Sequence, residues 1–261
     1  MTARATWLET ILRHDRAALA VVVIAIPLLA WTWVVVLAAD MYGPMSGASK
    51  WMMTMVWDGP HLLLLWAMWA VMMAGMMLPS ATPLLLFYGG AARNRDGGES
   101  AAPRIYALAA GYLLIWAAFS VAATVLQRVL GRALLFTPMM EPATPYLAAG
   151  ILIVAGVYQF LPIKHLCLQA CRSPISFLTQ RWRPGVAGAF RMGAAHGIYC
   201  LGCCWALMLL LFAGGVMNLA VILALTVWIV IEKTAPFGAH GARLAGVVLL
   251  IIAGWMLVGA P

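Results

Sequence analysis

Four possible metal donors fall within nine positions of one apolar stretch. They are His196, Cys200, Cys203 and Cys204, in RMGAAHGIYCLGCCW. Their spacing of i, i+4, i+7 and i+8 puts them on one face of a helix. Imidazole and thiolate together suit copper, zinc or an iron–sulfur cluster. Cysteine also serves as a small hydrophobe, and a lone histidine as a core hydrogen-bonding group. Four donors on one face of an apolar segment favour the ligand reading, because ionisable groups there are costly to keep. One helix face cannot supply a tetrahedral set, so a second element must bring the remaining donors. Gly193 and Gly197 form a small-xxx-small pair where another helix can approach closely.

The second candidate is a run of thioethers. Of seventeen Met, ten lie between Met41 and Met77. Four of these, Met45, Met52, Met53 and Met55, fall in a stretch also rich in Trp. The segment MWAVMMAGMMLP carries Met68, Met72 and Met76 four apart, with Met73 and Met77 in a parallel row. Residues four apart stack on one helix face. Thioether sulfur is a soft, neutral ligand that selects cuprous copper. Methionine is also a flexible gap-filler, so a single pair would mean little; five in ten positions mean more. Gly75, within the run, lets another helix approach at the same level. The Met ridge is the natural source of the donors that the His196–Cys204 face lacks.

A third cluster lies in KHLCLQACR, with His165, Cys167 and Cys171. The two cysteines share a face if the segment is helical, and Lys164 and Arg172 beside them favour thiolate. Other polar groups read more plainly. Asp58 is a good N-cap for the segment that follows, and His61 stands beside it at one mouth of the bundle. Tyr158 and Gln159 bond helices together. Glu232 and Lys233 end an apolar run and mark the membrane interface. No phosphate-binding glycine loop, serine-nucleophile elbow or zinc-protease helix motif is present, and no catalytic residue is proposed.

These residues need a lipid-embedded scaffold. Of 261 residues, 65% are apolar and 9% are charged. Soluble domains average about 25% charged, so a soluble enzyme, a disordered chain and a nucleic-acid-binding domain are all excluded. The expected fold is an all-α polytopic membrane helix bundle, a single transmembrane domain over residues 1–261. Seven spans are predicted, over residues 17–39, 61–88, 105–127, 145–161, 186–213, 217–232 and 244–259. Pro79 and Pro83 should kink the second, with neighbouring helices satisfying the freed carbonyls. Thirteen of the sixteen basic residues then fall on the side of the N-terminus, and Lys50, Arg128 and Arg132 on the other. That bias predicts the N-terminus inside. Residues 1–16 read as an interfacial helix with Trp7, Leu8, Ile11 and Leu12 toward lipid. Residues 162–185 read as the longest inner loop, and Met-rich 40–60 as an outer loop.

The stretches MWAVMMAGMMLPSATP, YQFLPIKHLCLQACRSP and GIYCLGCCWALMLLLFAGGVMN resemble a family of prokaryotic membrane proteins known only as a domain of unknown function. Its members are described as predicted metal-binding integral membrane proteins. The resemblance covers roughly residues 50–235. It implies metal binding in a bacterial inner membrane, with motif positions at Met72, Met73, Met76, Met77, Pro79, Cys167, Cys171, Cys200, Cys203 and Cys204.

The donors themselves point to a membrane protein handling a soft metal, cuprous copper ahead of zinc, as a transporter or a membrane chaperone. Its expected partners are the lipid bilayer, the metal ion and a periplasmic or cytoplasmic metal carrier, with no nucleic acid. Metal would pass from the Met-rich loop to the Met ridge, then to His196–Cys204, and leave past Cys167 and Cys171. The alternatives are a transmembrane thiol–disulfide carrier, or an accessory subunit holding a metal or haem for a larger complex.

Overall fold

The computed structural model describes residues 14–43, 50, 58–95, 100–137 and 140–259. The predicted interfacial helix and most of the Met-rich outer loop lie outside the described residues. Nine helices make up the described chain, and no strand occurs among the described residues. They are α1 (His14–Met41), α2 (Gly59–Arg95), α3 (Ala102–Arg132), α4 (Pro145–Tyr158), α5 (Pro162–Arg172), α6 (Pro174–Arg181), α7 (Gly185–Met208), α8 (Leu219–Thr234) and α9 (Gly238–Gly259). A short turn of helix, Leu210–Gly214, extends α7.

Local chemistry sets the ends. Pro145, Pro162 and Pro174 each open a helix, where the missing N–H costs nothing. Asn218 caps α8, accepting hydrogen bonds from Ala220 N at 3.1 Å and Val221 N at 3.4 Å. Asp58 caps α2 as expected, accepting from His61 N at 2.9 Å.

Five helices are long and apolar enough to cross a membrane, so this is an all-α polytopic membrane protein. They are α1, α2, α3, α7 with its extension, and α9. Neither α4 nor α8 is long enough alone, although α4 and α5 together are long and apolar enough to make a sixth span, broken by a bend. α4 has 14 residues and α8 has 16, about 21 and 24 Å at 1.5 Å per residue, against a hydrocarbon core of about 30 Å. α4 instead bends by 67° into α5. The expected inner loop is therefore corrected. Its first half is a helix that packs against α7, burying Lys164, Leu168 and Cys171.

α2 runs 37 residues and continues unbroken past Pro79 and Pro83. Pro79 cannot donate to the Gly75 carbonyl, and the Trp31 indole of α1 donates there instead, at 3.2 Å. α1 also comes close at Gly75, where a Cβ would stand 3.2 Å from Ala30 Cβ. Both consequences of MAGMMLP follow the sequence reading: close approach at the glycine, and a neighbour satisfying the carbonyl.

The tightest seam joins α3 to α7. A Cβ on Gly193 would strike the Leu108 carbonyl oxygen, and one on Gly111 the Phe190 carbonyl oxygen. Gly197 faces Ile115 and the backbone of Tyr112. The glycine pair of α7 thus docks α3, not the methionine helix.

Candidate metal centre

α7 presents His196, Cys200, Cys203 and Cys204 inward, and all four are buried. Beside them lies a closed ring of polar contacts tying four helices together. Cys200 Sγ stands 3.0 Å from Tyr112 Oη of α3. The Tyr112 hydroxyl donates to the Met77 carbonyl of α2 at 3.0 Å. Ser80 Oγ donates to the same carbonyl at 2.8 Å. Lys233 Nζ of α8 donates to Ser80 Oγ at 3.0 Å and to Cys200 Sγ at 2.9 Å, closing the ring.

The expectation that Glu232 and Lys233 merely mark the interface is corrected here. Both are buried, at 1% and 6% exposure. Such charges persist away from water only when paired. Glu232 takes Lys164 of α5 in an ion pair of 2.7 Å, both side chains fully enclosed. Two consecutive residues of α8 therefore serve two purposes: one anchors α5, the other reaches the Cys200 sulfur.

The other thiols of α7 lie close to Cys200. Cys203 Sγ and Cys204 Sγ both donate to the Cys200 carbonyl, at 3.1 and 2.8 Å. Cys200 Sγ is also within interaction range of the Cys171, Cys203 and Cys204 thiols. Cys171, delivered by the bend between α4 and α5, lies 4.0 Å from Cys203, sulfur to sulfur. All five cysteines are free thiols. Two sulfurs bound to one ion at about 2.3 Å each sit at most about 4.6 Å apart, so this separation suits a bridged ion. Among the described residues, no three or more His, Cys, Asp or Glu side chains are arranged to hold one metal ion. The thiols of α7 and α5 therefore meet at the Cys171–Cys203 contact.

The remaining candidates are placed as follows. Met68, Met72, Met73, Met76 and Met77 are all buried within one continuous core that also contains the cysteines. The row starts beside Trp69, which stacks on Phe212 and donates to Gln127. It ends at Met77, whose carbonyl belongs to the polar ring. His196 lies one turn before Cys200, its ring against Phe177 at 5.3 Å and Tyr112 at 5.9 Å. Its Nδ1 is buried without a hydrogen bond, a donor atom with no present use. Cys167 is half-buried against Gly202, away from the ring. Tyr158 donates to the Gly202 carbonyl, bonding α4 to α7 as its sequence position suggested. His61 is fully buried under the α2 cap and does not stand open at a mouth.

Sequence reasoning missed Tyr112, Ser80 and Lys233. None sits in a donor-rich motif, and a lysine ending an apolar run looks like any interfacial lysine. The one usable signal was the adjacent Glu232–Lys233 pair, which needs two partners if either residue is inside.

No curated protein and no solved structure matches the chain at a significant level. A family model does match, over residues 66–256, from the end of the first turns of α2 to the last turn of α9. That region holds the polar ring, all the cysteines and the methionine row. The chain belongs to PpoB2, the copper chaperone family.

Proposed function

We propose that this membrane protein is a chaperone for cuprous copper, which it gathers along the methionine row of α2 and holds on the thiols of α7 and α5. The observation that carries the reading is where the row ends. Met77 closes it and at the same time contributes its carbonyl to the ring around Cys200. Met77 lies nine positions beyond Met68, about 14 Å of helix rise. A neutral thioether path thus leads to an anionic thiolate end, from weaker soft donors to stronger ones.

Charge arithmetic gives Lys233 a part. A cuprous ion on two thiolates carries one net negative charge, which is costly in apolar surroundings. The ammonium 2.9 Å from Cys200 Sγ offsets it. The proposed ligands are Cys171, Cys200, Cys203 and Cys204, with His196 Nδ1 in reserve. Met68, Met72, Met73, Met76 and Met77 are transit donors, and Cys167 lies at the departure end. The protein sits in the bacterial inner membrane with its N-terminus inside, exchanging copper with a carrier at the α5–α6 end.

A second reading rests on the Cys171–Cys203 pair. Closing 4.0 Å to about 2.05 Å gives a disulfide, as a thiol–disulfide carrier requires. Changing Cys171 and Cys203 together to Ser removes the pair and separates the two readings. The chaperone loses copper, measured by elemental analysis, without a redox-dependent shift in thiol mass tagging. Retained copper with loss of such a shift establishes the carrier.

A further inference from the structure

Cys200, Cys203 and Cys204 are each fully buried, while Cys171 keeps 9% of its surface. That residual surface opens into a cleft of about 680 Å³, walled by α2, α5, α6 and α8. The volume is in the range that holds small organic ligands.

Its walls are largely apolar, and the charges set in them are positive. Arg172 and Lys233 are both in the wall, with hydroxyls from Ser80, Ser176 and Thr179, and among the described residues no acidic one lines it. Glu232, next to Lys233 in the chain, is paired with Lys164. Neither cation is fully used. Lys233 spends two of its three N–H groups on Ser80 and Cys200. Arg172 donates to the Ala235 carbonyl at 2.6 Å and has further N–H groups to offer. One thiol therefore lines a cleft whose charged donors are cationic.

We propose that this cleft docks a small anionic thiol, of tripeptide size and bearing carboxylates, that exchanges cuprous ion with Cys171. The carboxylates meet Arg172 and Lys233, and the carrier sulfur meets Cys171. In the loading direction the carrier's Cu–S bond breaks and a Cu–S bond to Cys171 forms. The Cys171 proton passes to the departing carrier sulfur. Copper stays cuprous throughout, so no electrons are needed. The proton leaves with the carrier and is not stranded in an apolar interior. The exchange step rests on the copper reading above; the charge preference of the cleft does not.

The test uses the full-length apo protein in non-ionic detergent and two methanethiosulfonate reagents, one with an ethylsulfonate group and one with a trimethylammonium group. Modification of Cys171 is followed by peptide mass spectrometry, with each rate divided by that reagent's rate on a free thiol. The expected result is that the anionic reagent is favoured by about tenfold, as for a cleft lined by one sign of charge. Arg172→Gln should remove most of the preference. Because Arg172 also braces Ala235, Thr179→Glu serves as the second variant: it adds a negative charge at an exposed position and should reverse the preference. Equal normalised rates, or a cationic preference in the unchanged protein, overturn the proposal. The cuprous complexes of glutathione and of cysteamine are then offered to the same protein. Faster loading from glutathione completes the case. An anionic preference at Cys171 with no copper loading from either complex overturns the copper step and leaves the charge reading of the cleft standing.

Discussion

The two halves of α7 do opposite work with the same helical spacing. Gly193 and Gly197 of the first half remove side chains so that α3 can lie against the backbone. Cys200, Cys203 and Cys204 of the second half put sulfurs where the glycines had left nothing. Tyr112 of α3 faces both, lying near Gly197 through its backbone and Cys200 through its hydroxyl. The glycine half sets the distance between helices, and that distance delivers the tyrosine to the thiol. Packing and chemistry are thus separate along the helix but coupled through its neighbour.

The strongest way to break the chemical half is through its charges. Lys164→Met leaves Glu232 buried and uncompensated, and should cost about 3–5 kcal/mol of stability. Thermal unfolding in detergent measures it. The double change Lys164→Met with Glu232→Leu should recover most of the loss, because paired removal is often neutral. A double variant no better than the single one would show that the pair does more than balance charge.

Gly193→Ala attacks the packing half. Its Cβ would meet the Leu108 carbonyl, so the seam must open, at about 1–3 kcal/mol. Gly150→Ala on α4 is the control: a Cβ there meets nothing within 4 Å, and the change should be neutral or stabilising by up to about 1 kcal/mol. If both glycines tolerate alanine equally, the seam is looser than described.

The smallest structural effect is expected on the methionine row. Met72→Leu with Met76→Leu keeps the volume, and each change should cost under about 1.5 kcal/mol. Copper uptake by membranes carrying the double variant should fall. Unchanged uptake would make the row core packing alone.

Much of this was legible in the sequence, and the boundary is physical. The donor face of α7, the buried methionine rows, the Asp58 cap and the close approach at Gly75 follow from helical periodicity within single segments. The freed Gly75 carbonyl was foreseeable too, although its partner Trp31 was not. What stayed hidden depends on bends and on charges from distant segments. The 67° turn between α4 and α5 converts an expected loop into the support of Cys171. The burial of Lys233 depends on where α8 ends relative to Cys200, 33 residues earlier. The seven predicted spans were counted from apolar runs, which register composition but neither the shortness of α8 nor the break between α4 and α5.

The central claim is that the thiols meeting between α5 and α7 hold copper. Its most direct test is the metal content of the protein purified in non-ionic detergent under reducing conditions, beside the variant with Cys171→Ser and Cys203→Ser. The account predicts copper at one or a few ions per chain in the unchanged protein and its loss from the folded variant. Zinc without copper, or copper retained in full by the variant, would contradict it.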